Sequence, residues 1–108
     1  MSLDIWLQCE CCGSRVYEGN ITHNLGKMAD EAGIYKCLWR APENNFILAK
    51  QLISPLTTGL ELLKLYPDRF KELNPPNGWG TYSILVRFVR KCLNACEKHP
   101  NAIIGTWR

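Results

Sequence analysis

The stretch LDIWLQCECCGSRVYE, residues 3–18, determines the first part of the fold that the sequence predicts. The apolar and aromatic residues of LDIWL indicate a short strand, and RVYE at residues 15–18 is typical of a partner strand. Between the two runs lie three cysteines and Gly13, a residue type that readily takes a positive φ in a tight turn. We therefore expect a β-hairpin whose turn carries the cysteines.

The spacing of Cys9 and Cys12 predicts a metal site in this turn. Two thiolates separated by two residues can approach one zinc ion from the same side, and CxxCG between two strands is typical of half a zinc ribbon. Zinc is therefore the expected cofactor, and Cys11 is expected to face away from it. The alternative is a reduced thiol pair without metal. A redox site is disfavoured because Gly13 leads into a strand, whereas a reactive CxxC thiol lies at the start of a helix.

The remaining ligands must come from elsewhere, because the chain has no second CxxC. His23 and Cys37 lie near the hairpin in sequence, so they are the predicted partners of Cys9 and Cys12. Two other pairs stay open, namely Cys92 with Cys96 and Cys96 with His99. The alternative for Cys92 and Cys96 is burial on the inner face of a helix, because cysteine behaves as a small hydrophobic residue.

The rest of the chain predicts mainly helices. They are expected from about 23 to 32 after a Thr22 cap, from 43 to 53, from 55 to about 66 as a second or kinked helix, and from 82 to 99 after a Thr81 cap. Residues 34–40 fit either an extended segment or a helical turn, and residues 102–108 are typical of a strand. The prediction is one α+β domain over residues 1–108. A small antiparallel sheet from both chain ends, the CxxCG hairpin plus the C-terminal strand, packs on three or four helices.

A second candidate site is a small-ligand or nucleotide pocket. Polar side chains cluster in NITHN, residues 20–24, and tryptophans lie beside potential donors at residues 39–40 and 77–82. The predicted ligand-binding residues are Asn20, His23, Asn24, Arg40 and Trp79. The alternative is that Thr22 caps a helix, its polar neighbours are solvated and Trp79 anchors its loop in the core. No phosphate loop, nucleophile elbow or paired-carboxylate motif indicates an enzyme.

The net charge of +3 is unevenly distributed, since residues 82–108 carry five cations against Glu97 alone. Arg87, Lys91 and Lys98 recur at helical intervals and could bind an acidic partner, with nucleic acid not excluded. The alternative is a solvated helix face. The sequence has no apolar run long enough to cross a membrane and begins without the features of a signal peptide, so we expect a cytoplasmic protein with reduced thiols.

Three motifs, CECCG, NITHNLGKMA and NGWGTY, resemble those of a family of small, mostly uncharacterised proteins encoded by bacteriophages and prophages. The resemblance spans about residues 9–104. It implies a phage or prophage origin and an accessory role in the bacterial cytoplasm, and it implies no catalytic activity.

Overall fold

The computed structural model describes residues 1–108 and confirms the predicted α+β class. A three-stranded antiparallel sheet in the order β2-β1-β3 is built from both ends of the chain and packs against helices. The strands are β1 (Ser2–Gln8), β2 (Arg15–Thr22) and β3 (Ile103–Trp107). The helices are α1 (Gly26–Glu31), α2 (Tyr35–Trp39), α3 (Lys50–Leu65), α4 (Pro67–Lys71) and α5 (Tyr82–Lys98). There are five helices and not three or four, because α2 and α4 are separate helices of five residues each.

The central strand β1 is buried on one face only. Leu3, Ile5 and Leu7 are at most 1 % exposed, and strand geometry directs the alternate residues to the outer face. On that outer face the guanidinium of Arg15 lies 4.1 Å from the centroid of the Trp6 ring. The inner face is therefore the side on which the helices and the core lie.

The pairing of the strands shows which residues lie at each end of the sheet. Ser2 pairs with Thr22 at one end of β1, whereas Gln8 pairs with Arg15 and Ile103 at the other. At about 3.4 Å per residue, the two ends of β1 are about 20 Å apart. The β1–β2 turn, with its cysteines, lies at the second of these ends.

The Thr22 cap forms as predicted. Its hydroxyl accepts a hydrogen bond from the backbone N–H of Asn24 at 3.2 Å, an interaction of a type that contributes about 1 kcal/mol. A 3-10 turn at His23–Leu25 then leads into α1, and Gly33 follows that helix with a φ of 78°. The polar residues of NITHN consequently lie at the junction of β2 and α1.

The middle of the chain differs from the prediction. The helix predicted at residues 43–53 forms only from Lys50 onwards. Its first part is wrong, because a 3-10 turn forms at Pro42–Asn44 and Asn45 then takes a left-handed conformation with a φ of 63°. Helix α3 starts later and continues through Pro55 without a break. Gln51 in its first turn holds the segment before the helix, because its Oε1 accepts hydrogen bonds from the backbone N–H groups of Ile47 and Leu48, both at 2.8 Å. Residues 34–40, which the sequence left undecided, form α2.

Helix α5 covers the sheet and packs against α3. Its Thr81 cap is confirmed, since the hydroxyl accepts from the backbone N–H of Ile84 at 3.3 Å. The buried side of α5 joins a core of 24 residues drawn from the sheet and from all five helices. No helix combines the length and the apolar character that crossing a membrane requires.

Candidate metal centre in the β1–β2 turn

The turn that joins β1 and β2 is closed by its own backbone. The N–H of Cys9 donates to the carbonyl of Ser14 at 2.8 Å, and the N–H of Gly13 donates to the carbonyl of Cys9 at 2.9 Å. Gly13 has a φ of 74°, as its place after Cys12 predicts. This compact geometry holds the three cysteine side chains close to one another.

The three sulfurs form one cluster. Those of Cys9, Cys11 and Cys12 all lie within 4.8 Å of one another, and those of Cys9 and Cys11 are 2.9 Å apart. The expectation that Cys11 faces away is therefore wrong. A tetrahedral zinc ion with Zn–S bonds of about 2.3 Å places its sulfurs about 3.8 Å apart, so a small opening of this cluster fits the ion.

The thiols also influence one another's ionisation. The pKa of Cys9 is lowered to about 7, first by hydrogen bonding with the Cys11 thiol and then by backbone hydrogen bonds of Cys11 and Cys12. The same interaction with Cys9 raises the pKa of Cys11. The thiolate is the form that binds metal. Because its pKa is lowered, Cys9 is the cysteine of the cluster that most readily forms a thiolate near neutral pH.

A second set of side chains faces the cluster across a small cavity. The cavity has a volume of about 210 Å³ and lies between the cysteine turn and the segment after α5. Cys9, Glu10 and Cys11 line one side, and His99 and Asn101 line the other. Sequence reasoning considered His99 only together with Cys96, because nothing local indicates that the end of α5 returns to the turn.

The predicted partners His23 and Cys37 do not reach this cluster. His23 directly follows Thr22, at the opposite end of the sheet, so the length of β1 separates it from Cys9. Its Nδ1 accepts a hydrogen bond from the indole N–H of Trp39 at 2.9 Å. Cys37 is 3 % exposed and its thiol donates to the carbonyl of Ile34 at 3.3 Å, while burial raises its pKa to about 12.

The two cysteines of α5 belong to the core. Cys92 and Cys96 are both fully buried, which confirms the alternative interpretation of that pair. Interaction with the Cys96 thiol, together with burial, raises the pKa of Cys92 well above its ordinary value. Neither pairing that included Cys96 therefore forms an accessible metal site.

The residues of the predicted small-ligand site are only partly brought together. His23 and Arg40 line one cavity, but Asn20, Asn24 and Trp79 do not line it. The amide of Asn20 donates to Ser2 and Asp4, and that of Asn24 donates to Thr22. Trp79 is 70 % exposed, so it does not anchor its loop in the core.

The cationic side of α5 is free of ion pairs. Arg87, Lys91 and Lys98 are exposed, and none of the ion pairs in the structure includes a residue of α5. This leaves their charge available to a partner, and the acidic partner stays a prediction.

Comparison of the chain with protein-family models, curated proteins and solved structures finds no match. Function must therefore be inferred from the geometry of the molecule.

Proposed function

We propose that this protein is a small zinc-stabilised binding module, with the ion held by Cys9, Cys11 and Cys12. The observation that carries the proposal is the convergence of three thiols within 4.8 Å in one turn. Three thiolates are a common part of structural zinc sites, and an imidazole is a common fourth ligand. His99 is the residue we assign to that fourth position, because it lines the same cavity as Cys9 and Cys11, although its imidazole must move closer to join the three sulfurs.

Zinc bound there would tie together elements that are distant in sequence. The cysteine turn belongs to the N-terminal hairpin, and His99 follows α5, so one ion would join the hairpin to the end of the long helix. Four protein ligands leave no open position for a substrate, which favours a structural role. The surface that zinc supports in this way would include the basic face of α5.

The basic face of α5 favours the binding of an acidic partner. Arg87, Lys91 and Lys98 are exposed on α5 and unpaired, which supports their use in recognition. Reversing these three charges should abolish the salt-dependent binding of a polyglutamate probe while the circular dichroism spectrum stays native. Unchanged binding would contradict this role.

The resemblance of the three motifs supports a phage or prophage accessory factor of the cytoplasm.

The metal proposal is tested by measuring zinc in protein purified under reducing conditions. We expect one zinc per chain, and we expect serine at position 9, 11 or 12 to remove most of it. Cobalt substitution should give a thiolate-to-metal absorption band whose intensity falls with each cysteine removed. Cys92→Ala is the control, because it removes a buried thiol that neither belongs to the cluster nor lines its cavity, and it should leave the zinc content unchanged.

The fourth ligand is tested with the two histidines of the chain. His99→Gln should weaken zinc binding by about tenfold or more, a loss of about 1.4 kcal/mol, whereas His23→Gln should not. Equal effects of the two substitutions would contradict the assignment of His99. Absence of near-stoichiometric zinc from fully reduced wild-type protein would overturn the metal proposal itself.

A further inference from the structure

A larger cavity lies at the end of the sheet opposite to the cysteine turn. It has a volume of about 580 Å³, which is within the range of small-ligand pockets. Three different parts of the chain form its polar wall: His23 follows β2, Arg40 follows α2 and Arg108 follows β3. Met1, Tyr35 and Trp39 complete the lining.

The two arginines of this cavity share one carboxylate. Nη1 of Arg40 and Nη1 of Arg108 lie 3.4 and 3.6 Å from the same oxygen, Oε2 of Glu43. Both distances exceed the 2.7–2.9 Å of a strong charge-assisted hydrogen bond. The three side chains are between 39 and 48 % exposed. One carboxylate cannot neutralise two guanidinium groups, so a net positive charge and most of their ten N–H donors remain available.

The imidazole of His23 is held in one tautomer. The indole N–H of Trp39 can only donate, so the Nδ1 that accepts from it carries no proton. In the neutral ring, Nε2 therefore carries the proton and is the nitrogen left to donate to a ligand. Trp39 is 2 % exposed, so the partner that orients the imidazole is itself fixed in the core.

The aromatic wall is fixed in a similar way. Tyr35 stacks on Trp39 with a centroid distance of 5.4 Å and an interplanar angle of 13°. The Tyr35 ring also lies beside Gly26 of α1, since a Cβ added at position 26 would be 3.4 Å from it, an ordinary contact distance. The polar groups thus surround a pocket that is largely formed before a ligand arrives, which lowers the ordering cost of binding.

We propose that this cavity binds the phosphate group of a small molecule, with Arg40 and Arg108 contacting its oxygens and His23 donating from Nε2. Three donor groups from different segments of the chain match the several oxygens of a phosphate better than the two oxygens of a carboxylate. The site is distinct from the cysteine cluster, since the sheet separates them by about 20 Å. It also differs from the pocket predicted from sequence, because Arg108 replaces Trp79, Asn20 and Asn24.

The experiment is an NMR titration of the full-length, isotopically labelled protein at constant ionic strength. The probes are inorganic phosphate, adenosine monophosphate and succinate, and the indole N–H of Trp39 is the reporter because it bonds to His23. We expect a saturable shift with phosphate, with the monophosphate, or with both. A saturable shift with inorganic phosphate alone identifies free phosphate as the ligand. A saturable shift with adenosine monophosphate, with or without one for phosphate, identifies a phosphate ester.

Substitutions in the polar wall and at the neighbouring Glu43 should change the affinity for phosphate in opposite directions. Arg40→Gln and Arg108→Gln should each weaken binding by about tenfold or more, because each removes charge-assisted hydrogen bonds. Glu43→Gln should strengthen binding, because it removes the carboxylate that competes with the ligand. Arg90→Gln removes the same charge from an exposed position of α5 and should have no effect.

Three results would overturn the proposal. They are the absence of saturation with both phosphate and the monophosphate up to about 10 mM, a saturable response to succinate alone, and equal effects of Arg90→Gln and Arg40→Gln. The substituted arginines and Glu43 are solvent-exposed, so the variants should fold, and a native circular dichroism spectrum verifies this.

Discussion

At the scale of single residues, the cysteines of this protein divide by exposure into two chemical classes. Cys37, Cys92 and Cys96 are buried and contribute apolar volume, whereas Cys11 and Cys12 are exposed and Cys9 is partly exposed. The turn brings the second group close enough for one thiol to change the ionisation of another. Position in the fold, and not residue type, therefore decides which thiols are available for metal or for reaction.

A first prediction concerns the reactivity of Cys9 in the reduced, metal-free protein. Its pKa is lowered from 9.0 to about 7, so the nucleophilic thiolate persists to lower pH than in an ordinary cysteine. The rate of alkylation of Cys9 by iodoacetamide should thus be half-maximal near pH 7 and should fall on further acidification. Peptide mass spectrometry of samples quenched over time measures this rate.

The control for this prediction is Cys11→Ala, which removes the thiol that contributes most to the lowered pKa of Cys9 and puts no other hydrogen-bond donor in its place. The midpoint for Cys9 should then move towards 9. Cys37 should stay unmodified in the folded protein, because it is buried and its pKa is raised to about 12. A wild-type midpoint near 9 would contradict the stated role of Cys11.

At the scale of helices and strands, close approach of the backbone determines where the elements pack. Gly59 of α3 is such a place, because a Cβ there would lie 2.3 Å from Cγ2 of Ile34 and 3.2 Å from the carbonyl oxygen of Ala32. Ile34 is fully buried and β-branched, so it cannot easily move aside. The absence of a side chain at Gly59 lets α3 pack against the segment between α1 and α2.

A second prediction follows from this contact. Gly59→Ala should destabilise the protein by about 2 kcal/mol, because so severe an overlap puts the cost of overpacking near the upper end of about 1–3 kcal/mol, while alanine regains about 1 kcal/mol of helix propensity. Urea denaturation measures the change in the free energy of unfolding. Thr58→Ala, at an exposed neighbouring position of α3, should instead be neutral or slightly stabilising. A Gly59→Ala variant as stable as Thr58→Ala would disprove the packing argument.

At the scale of the whole molecule, the core and the candidate metal site are separate. The 24 residues of the core cluster include none of the three cysteines of the turn. A chain of this size can also bury a sufficient core without a metal. Zinc would therefore add stability to a protein that folds without it, unlike a zinc finger, which depends on its ion for folding.

A third prediction is the effect of a chelator on the zinc-loaded protein. Removing an ion present at about one hundred times its Kd should cost about 2.7 kcal/mol, equivalent to a decrease in Tm of about 10–20 °C. The far-UV circular dichroism spectrum at 25 °C should stay native. Cys9→Ser should melt at the lower temperature with or without chelator. Complete unfolding on chelation would contradict the independence of the core, and an unchanged Tm would contradict the role of zinc.

The amino-acid sequence by itself determined the features that depend on neighbouring residues. The strand at LDIWL follows from its apolar and aromatic residues, and the positive φ of Gly13 and the caps at Thr22 and Thr81 follow from local sterics and local hydrogen bonds. The α+β class follows from the local strand and helix patterns of the whole chain taken together. The extent of α3 was not predicted, because a helix can continue through Pro55 when its other contacts hold it.

Only the tertiary structure decided which distant side chains meet. His99 lines the same cavity as Cys9 because the segment after α5 leads into β3 beside β1, and Arg108 reaches the cavity of His23 because β3 runs antiparallel to β1. Both cavities bring together residues that are about 90 positions apart in the sequence. Their formation depends on strand register and helix packing, which no local pattern specifies. The position of Cys11 in the cluster depends likewise on the folded turn, since the spacing of the cysteines does not determine where a thiol points.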